Sequence, residues 1–239
     1  MQSDAVDKKN MSKDIYQRTE ALIGTEALEK LKKAKVLICG LGGVGGYTCE
    51  ALARAGVGTL GLCDMDTVDP TNCNRQILAL RTTIGRRKAD VAEERVKDIN
   101  PDAQIRKFAF RIDAETIPDL DVGSWDYIAD CIDDVDAKVL LIRSAKDAGV
   151  PILCAMGTGN KLDASAFKVC NIRKTEQDRL AKVMRRRLRD EGLGEGVTVV
   201  YSPEPPVTEI QNGVIPSISY MPATAGLRIA GEILQNLIK

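Results

Sequence analysis

The chain has 239 residues, of which 44% are hydrophobic and 28% charged, a composition that excludes disordered, collagenous and fibrous proteins. Its 34 basic residues balance 34 acidic ones, so net charge gives no argument for a nucleic acid or a membrane as partner. The sequence contains no histidine, which excludes histidine-based triads, general bases and metal sites. No apolar run is long enough to span a membrane, and seven cysteines without a C-x-x-C pair are typical of reduced thiols in a cytoplasmic protein.

Hydrophobic periodicity predicts one domain over residues 15–239, preceded by a flexible N-terminal tail at 1–14. In chain order, helices are predicted at 25–33, 44–56, 88–99 and 136–148, and strands at 35–40, 59–64, 104–110, 127–131 and 151–155. This alternation predicts an α/β fold, a Rossmann-like doubly wound, mostly parallel sheet. Strands at 166–171 and 197–202, a charged helix between them and a helix at 224–238 are expected to extend the sheet at its C-terminal end.

A glycine-rich turn follows the first predicted strand. The segment GLGGVGG at 40–46 contains G-x-G-x-x-G at Gly40, Gly42 and Gly45 and precedes a helix. Glycines permit a tight turn, so that the N–H groups at the helix start can face a phosphate. Asp64 ends the second strand, where its carboxylate can accept hydrogen bonds from ribose hydroxyls. The pattern predicts a nucleotide site without separating NAD from ATP.

A dense set of polar side chains follows Asp64: Asn72, Asn74, Arg75 and Gln76, and then Arg86, Arg87 and Lys88 at the start of the next helix. Arg75 and Lys88 are the residue types that neutralise a triphosphate. Basic residues at a helix N-terminus oppose the helix dipole, so their presence there favours a bound anion.

An acidic stretch forms the second half of the candidate site. Residues 113–136 include nine acidic side chains and no lysine or arginine. Asp130 and Asp133 bracket the carboxyl end of a strand, where open α/β sheets bind ligands. A carboxylate there can hold Mg²⁺ against substrate phosphates, and we expect Asp133 to do so, with Asp136 as the N-cap of the following helix.

Together these motifs resemble the ubiquitin-activating-enzyme-like (ThiF/MoeB/HesA) superfamily, whose members adenylate carboxylates. The shared features are the glycine loop including Gly43, the D-x-D-x-V segment with Asp66, N-x-x-R-Q, the downstream lysine and D-x-x-D. The resemblance implies that Asp64 binds the ribose, that Asn72, Arg75, Gln76 and Lys88 bind phosphates, and that Asp133 serves the magnesium and the reacting centre. Arg75, Lys88 and Asp133 are then the catalytic residues. Arg18 is a further phosphate candidate, since in related enzymes an N-terminal arginine is supplied by the partner subunit.

Four stretches are similar to the tRNA threonylcarbamoyladenosine dehydratases within this superfamily, at 18–24, 72–76, 157–163 and 174–189. The resemblance implies an enzyme that uses ATP and Mg²⁺ to adenylate the threonyl carboxylate of N6-threonylcarbamoyladenosine beside the tRNA anticodon. The activated group then cyclises with loss of AMP. A homodimer is expected, from the apolar C-terminal helix and the habit of the superfamily. A sulfur-transfer partner protein is left open.

Residues 174–189 form the predicted tRNA contact. This segment contains seven basic and two acidic residues, which gives a local excess of positive charge on a protein of zero net charge. Leu180, Val183, Met184 and Leu188 are expected to form its apolar face. The candidate phosphate-backbone contacts are Lys174, Lys182, Arg185, Arg186, Arg187 and Arg189.

Three alternatives remain beside the dehydratase. The first is adenylation of the C-terminal glycine of a ubiquitin-like sulfur-carrier protein. The second is a non-catalytic nucleotide-binding scaffold, against which the presence of Arg75, Lys88 and Asp133 argues. The third is an NAD oxidoreductase, which is disfavoured because no histidine is available as proton donor.

Overall fold

The fold is an α/β sandwich around one sheet, as the alternation of elements predicts. The computed structural model describes residues 8–210 and 212–239, with side chains from residue 15 onward. In this part of the chain seven strands form a sheet in the order β3-β2-β1-β4-β5-β7-β6, in which only β6 runs antiparallel to its neighbour. The strands are β1 Lys35–Cys39, β2 Thr59–Cys63, β3 Gln104–Phe108, β4 Tyr127–Asp130, β5 Ile152–Ala155, β6 Lys168–Asn171 and β7 Thr198–Tyr201. The predicted fold class is therefore confirmed.

Helices cover both faces of the sheet. They are α1 Lys8–Ile23, α2 Thr25–Lys33, α3 Gly45–Arg54, α4 Lys88–Ile99, α5 Val135–Asp147, α6 Arg179–Asp190 and α7 Tyr220–Leu237. Alternate residues of β1 point to opposite faces: Val36 and Ile38 pack with α3, α4 and α7, whereas Leu37 and Cys39 pack with α5. The strands are buried on both faces, which explains why their sequences are continuously apolar rather than alternating. None of the helices in the described residues is both long and apolar enough to cross a lipid bilayer.

Several element boundaries differ from the sequence predictions by one or two residues, and three differ by more. Residues 8–14 of the expected tail belong to α1, a segment without glycine or proline, and residues 1–7 lie outside the described residues. The charged helix begins at Arg179, where the Asp178 side chain caps the N–H of Ala181, so Lys174 lies in a preceding 3₁₀ turn. Helix α7 begins at Tyr220 rather than residue 224, because a proline such as Pro222 is tolerated in a first helical turn.

Candidate nucleotide-binding site

A cavity of about 860 Å³ lies at the carboxyl ends of β1, β2 and β4. Open α/β sheets bind ligands at this edge. The predicted residues that line it are Gly40, Gly42, Gly43, Asp64, Asp66, Asn72, Arg75, Gln76, Lys88 and Asp133. In the described part of the chain, Gly45 and Arg18 are not among the lining residues, and Arg18 lies exposed on α1. The structure thus brings the two candidate cations, the candidate magnesium carboxylate and the glycine turn to one cavity, while their roles stay predictions.

The glycine turn depends on missing side chains at two positions. Gly40 has a φ of +85°, and a Cβ there would lie 2.7 Å from the carbonyl oxygen of Cys131. At Gly45 a Cβ would lie 1.7 Å from the Gly40 oxygen, so only glycine lets α3 begin directly above the turn. At Gly42, by contrast, the nearest atom is Gln76 Nε2 at 3.7 Å, which leaves room for a ligand against the backbone.

Asp64 ties the end of β2 to this turn. Its Oδ2 accepts a hydrogen bond of 2.6 Å from the N–H of Leu41, and its Oδ1 accepts one of 2.8 Å from the N–H of Asp66. Burial raises the pKa of Asp64 above the usual aspartate range, although Lys88 and these two hydrogen bonds act in the opposite direction. Each carboxylate oxygen keeps the capacity to accept a further hydrogen bond, as a ribose would require.

Lys88 is a buried cation held at the cavity wall. Its side chain is only 7% exposed, and its Nζ lies 2.8 Å from Asp66 Oδ2, whereas the Asp66 side chain is 53% exposed. Helix α4 begins at Lys88, and its N-cap residue Arg87 makes no side-chain capping bond. The positive end of the helix dipole and a buried ammonium therefore act together, which favours an anion here.

Asn72, Arg75 and Gln76 come from the loop between β2 and α4. A 3₁₀ turn at Pro70–Asn72 closes with a capping box, in which Asn72 Oδ1 accepts a 3.2 Å hydrogen bond from the N–H of Asp69. The half-buried Arg75 guanidinium donates to the Thr71 carbonyl at 2.9 Å. Gln76 is buried, and its Oε1 has no hydrogen-bond partner among the described residues. A buried amide oxygen without a partner fits a site that a polar ligand completes.

Two acidic residues at the start of α5 differ in their roles. Asp133 is exposed and lines the cavity. Asp134 is the N-cap: its Oδ1 accepts hydrogen bonds from the N–H groups of Asp136 at 2.9 Å and Ala137 at 3.1 Å, and its Oδ2 contacts Arg111 at 2.6 Å. The prediction that Asp136 caps this helix is therefore wrong, because the helix begins one residue earlier, at Val135.

The donor set suits a magnesium ion carried by a nucleotide. In the described ranges no group of three or more histidine, cysteine, aspartate or glutamate side chains could hold a metal by itself. Mg²⁺ usually binds one or two carboxylates together with waters and substrate phosphates. Asp133, an exposed carboxylate on the same cavity as Arg75 and Lys88, matches that requirement.

Some lining residues were not singled out from the sequence. Phe110, Arg111 and Ile112 follow β3, and their position after a strand at the same sheet edge was the signal available. Thr158 lies in the stretch 157–163 that carries the family resemblance, whereas Ser217 and Pro222 carried no local signal. A Cβ on Gly43 would lie 2.9 Å from Pro222 Cβ, so the first turn of α7 packs directly on the glycine turn.

The basic residues of 174–189 are not equivalent. Arg185 donates to the carbonyl of Thr175 at 2.7 Å, and Arg187 contacts Asp136 at 2.7 Å. Arg186 and Arg189 lie 3.7 and 3.4 Å from Asp190 and stay largely exposed. Lys174 and Lys182 are exposed as well.

The expected apolar face of this helix needs one correction. Val183 is 47% exposed and does not belong to it, whereas Ala181, Met184 and Leu188 are buried. The 3.6-residue period places position 181, rather than 183, on the same face as 184 and 188.

Comparison with known proteins decides the family. The ThiF family profile matches residues 16–239. This chain belongs to the ThiF family. A curated relative from Bacillus subtilis (strain 168), named tRNA threonylcarbamoyladenosine dehydratase, is 36% identical over 240 residues, which is 94% of each chain.

Solved structures of another family member match the whole fold. The crystal structure of Escherichia coli tRNA N6-threonylcarbamoyladenosine dehydratase, TcdA, in complex with AMP has a TM-score of 0.91 at 32% identity and covers 99% of this chain and 98% of that one. The same protein in complex with ATP has a TM-score of 0.90 at 31% identity, with 98% and 97% covered. The resemblance that the motifs indicate is therefore confirmed at the level of the family and the fold.

Proposed function

We propose that this protein dehydrates N6-threonylcarbamoyladenosine in tRNA, using ATP to adenylate the threonyl carboxylate and releasing AMP. The observation that carries the proposal is the single cavity that gathers the glycine turn, Arg75, Lys88 and Asp133. Support comes from a relative that bears this activity in its name and matches the chain along nearly its whole length. The other support is a fold match to a family member solved with ATP and with AMP.

The residues of the cavity act mainly by positioning and by neutralising charge. The backbone N–H groups of the glycine turn at Gly42 and Gly43 face the phosphates, and Asp64 accepts hydrogen bonds from the ribose. Lys88 exchanges its contact with Asp66 for the more highly charged triphosphate, and Arg75 offers a two-pronged guanidinium. Asp133 would hold magnesium, which supplies positive charge against the phosphate oxygens. Such electrostatic work needs no histidine.

The reaction consists of an adenylyl transfer followed by an acyl transfer. A carboxylate oxygen of the substrate attacks the α-phosphorus of ATP, and pyrophosphate leaves. A nucleophile in the same substrate molecule then attacks the activated carbonyl, and AMP leaves as the ring closes. Because this second step is intramolecular, its effective molarity can reach about 10⁵ M or more, and no enzyme thiolate is required. Two cysteines, Cys63 and Cys131, line the cavity. Burial raises the pKa of Cys131 to about 12, so its thiol stays protonated near neutral pH.

The decisive experiment follows the substrate. The protein is incubated with ATP, Mg²⁺ and bulk tRNA, the tRNA is digested, and its nucleosides are analysed by mass spectrometry. We expect the loss of one water from the hypermodified adenosine, with one AMP formed per event, and no change when ATP is omitted. An unmodified nucleoside profile with active ATP turnover would contradict the proposal.

For tRNA, the exposed cations Lys174, Lys182, Arg186 and Arg189 are the better supported contacts of the predicted set. Arg185 and Arg187 are already engaged by Thr175 and Asp136. We expect Lys182→Glu with Arg186→Glu to weaken tRNA binding and to reduce the slope of log affinity against log salt by about 1 per lost phosphate contact. Lys32→Glu with Lys33→Glu, on the exposed side of α2, is the matched control. Equal losses of tRNA affinity in both variants would show that α6 does not form the tRNA contact.

The sulfur-carrier alternative has less support, because the full-length relative is named for the tRNA reaction and this chain lacks C-x-x-C pairs. Pyrophosphate exchange driven by a carrier protein instead of tRNA would favour it. We propose a cytoplasmic location, which the proposed tRNA substrate supports. The cysteines in the described part of the chain are free thiols.

A homodimer would let Arg18, which lies outside its own chain's cavity, serve the site of a second copy. Light scattering tests the dimer, and the sulfur-transfer partner protein is left open.

A further inference from the structure

A buried ion pair lies behind the loop that carries Asp133. Asp130 is the last residue of β4 and Lys138 lies in the first turns of α5; both side chains are 0% exposed, and Lys138 Nζ is 2.9 Å from Asp130 Oδ2. Burial is the largest single effect and by itself would lower the pKa of Lys138, but the Asp130 carboxylate together with Cys154 and Cys131 acts in the opposite direction, and the pKa is raised. The lysine is therefore charged in the interior.

Both members of the pair also bind the backbone of Ile132. Asp130 Oδ1 accepts a 3.2 Å hydrogen bond from the N–H of Ile132, and Lys138 Nζ donates one of 2.9 Å to the carbonyl oxygen of Ile132. That carbonyl belongs to the peptide group that joins Ile132 to Asp133. Because a peptide group is planar, holding its oxygen fixes the direction in which the chain enters Asp133.

A charged pair is not the most stable filling for this position. Two ions lose favourable hydration when they are buried, and their mutual attraction does not fully compensate for it. Apolar side chains of similar volume often stabilise the protein equally well or better. Neighbouring positions of α5, such as Leu141 and Ile142, are filled in that way. What the ion pair adds over an apolar pair is the pair of hydrogen bonds to Ile132, so its effect is on the position of the loop.

We propose that Asp130 and Lys138 are positioning residues, which hold the Ile132–Asp133 peptide so that the Asp133 carboxylate is fixed at the cavity edge for the metal carried by ATP. Ile132 and Asp133 line the cavity, whereas neither member of the pair is among its lining residues in the described chain. The pair therefore acts through Asp133. The nature of the ligand rests on the proposed function, but the restraint on the loop does not.

The test removes both charges while keeping the volume. Asp130→Asn with Lys138→Met retains an oxygen for the N–H of Ile132 and deletes the donor to its carbonyl. The matched control is Glu50→Gln with Arg95→Met, which removes the ion pair of 2.5 Å between α3 and α4, away from the cavity lining. Hydrogen exchange of the backbone at 131–134 is measured without nucleotide, and ATP affinity is measured by calorimetry with and without Mg²⁺.

In the double variant at 130 and 138 we expect faster exchange at 131–134. We also expect about a 10-fold rise in the Mg²⁺ concentration that half-saturates ATP binding, with unchanged affinity for ATP alone. The control pair should change neither quantity. Unchanged exchange at 131–134 would overturn the positioning role. If the ATP affinity of the wild-type protein does not depend on Mg²⁺, the proposed role of Asp133 is refuted. The hydrogen-exchange result would still show whether Asp130 and Lys138 restrain the loop. If circular dichroism finds the double variant unfolded, Lys138→Gln is judged by the same exchange measurement, because the shorter glutamine side chain should lose the hydrogen bond to the Ile132 carbonyl.

Discussion

Arg75→Ala separates a role in binding ATP from a role in folding. The half-buried Arg75 guanidinium makes two solvent-accessible hydrogen bonds within its own loop, to the Thr71 carbonyl at 2.9 Å and to Asn74 Oδ1 at 2.8 Å. Their loss should lower the free energy of unfolding by about 1 kcal/mol or less, which lowers the Tm by at most about 2–4 °C for a chain of this size. The fold should therefore persist.

The expected loss in binding is larger. A hydrogen bond between a guanidinium and a phosphate contributes about 1.5–3 kcal/mol. Since about 1.4 kcal/mol corresponds to a factor of ten, Arg75→Ala should weaken ATP binding by about 10- to 150-fold. Arg75→Lys keeps the charge but loses the planar fork, so it should recover part of this loss.

Calorimetry with ATP and Mg²⁺ gives the affinity, pyrophosphate release with tRNA gives the turnover, and thermal unfolding gives the stability. Arg81→Ala is the control, because Arg81 is an exposed arginine of the same loop and does not line the cavity in the described chain. Near wild-type affinity and pyrophosphate release in Arg75→Ala would refute the assignment. An equal loss in Arg81→Ala would show that only general positive charge matters.

Three further outcomes are expected. Gly45→Ala should unfold the site and lower the Tm, since the added Cβ would lie 1.7 Å from a backbone oxygen. Gly42→Ala should keep the wild-type Tm and lose ATP affinity. Equal Tm values for the two variants would contradict this difference between the two glycines. Because burial raises the pKa of Asp64 above the usual value of about 3.9, ATP affinity should fall by up to tenfold per pH unit as the pH drops through that raised pKa. Asp64→Asn should bind ATP weakly and should not show this pH dependence. The same pH dependence in the variant would exclude Asp64 as its source. Cys131→Ser should keep turnover, because a thiol of pKa about 12 is not a nucleophile near neutral pH, and loss of AMP formation in a folded variant would argue for a covalent step.

Much of the site could be predicted because it is local in sequence. The G-x-G-x-x-G turn lies between a buried strand and a helix, and Asp64 ends the next strand, so strand order alone places them at one sheet edge. The segment from 72 to 76 follows directly in the same crossover. The roles of these residues stay predictions, but their meeting at one cavity follows from rules that act over short stretches of chain.

Other features could not be predicted, because they depend on partners distant in the chain. Arg185 and Arg187 look like free cations in the sequence, yet the fold pairs Arg187 with Asp136, 51 residues away. The sequence has four acidic residues at 130–136 and does not distinguish their roles. In the fold Asp130 is buried against Lys138, Asp134 caps α5 and Asp133 faces the cavity.

The amino-acid sequence by itself determined the elements, the class of fold, the family resemblance and the glycine turn, since hydrophobic period, glycine spacing and turn chemistry act within a few residues. Only the tertiary structure decided how each charge is used. Burial, ion pairing and the packing of α7 on the glycine turn join residues that are far apart in the chain, and the free energy of a charged group depends on its surroundings in space rather than on its neighbours in sequence.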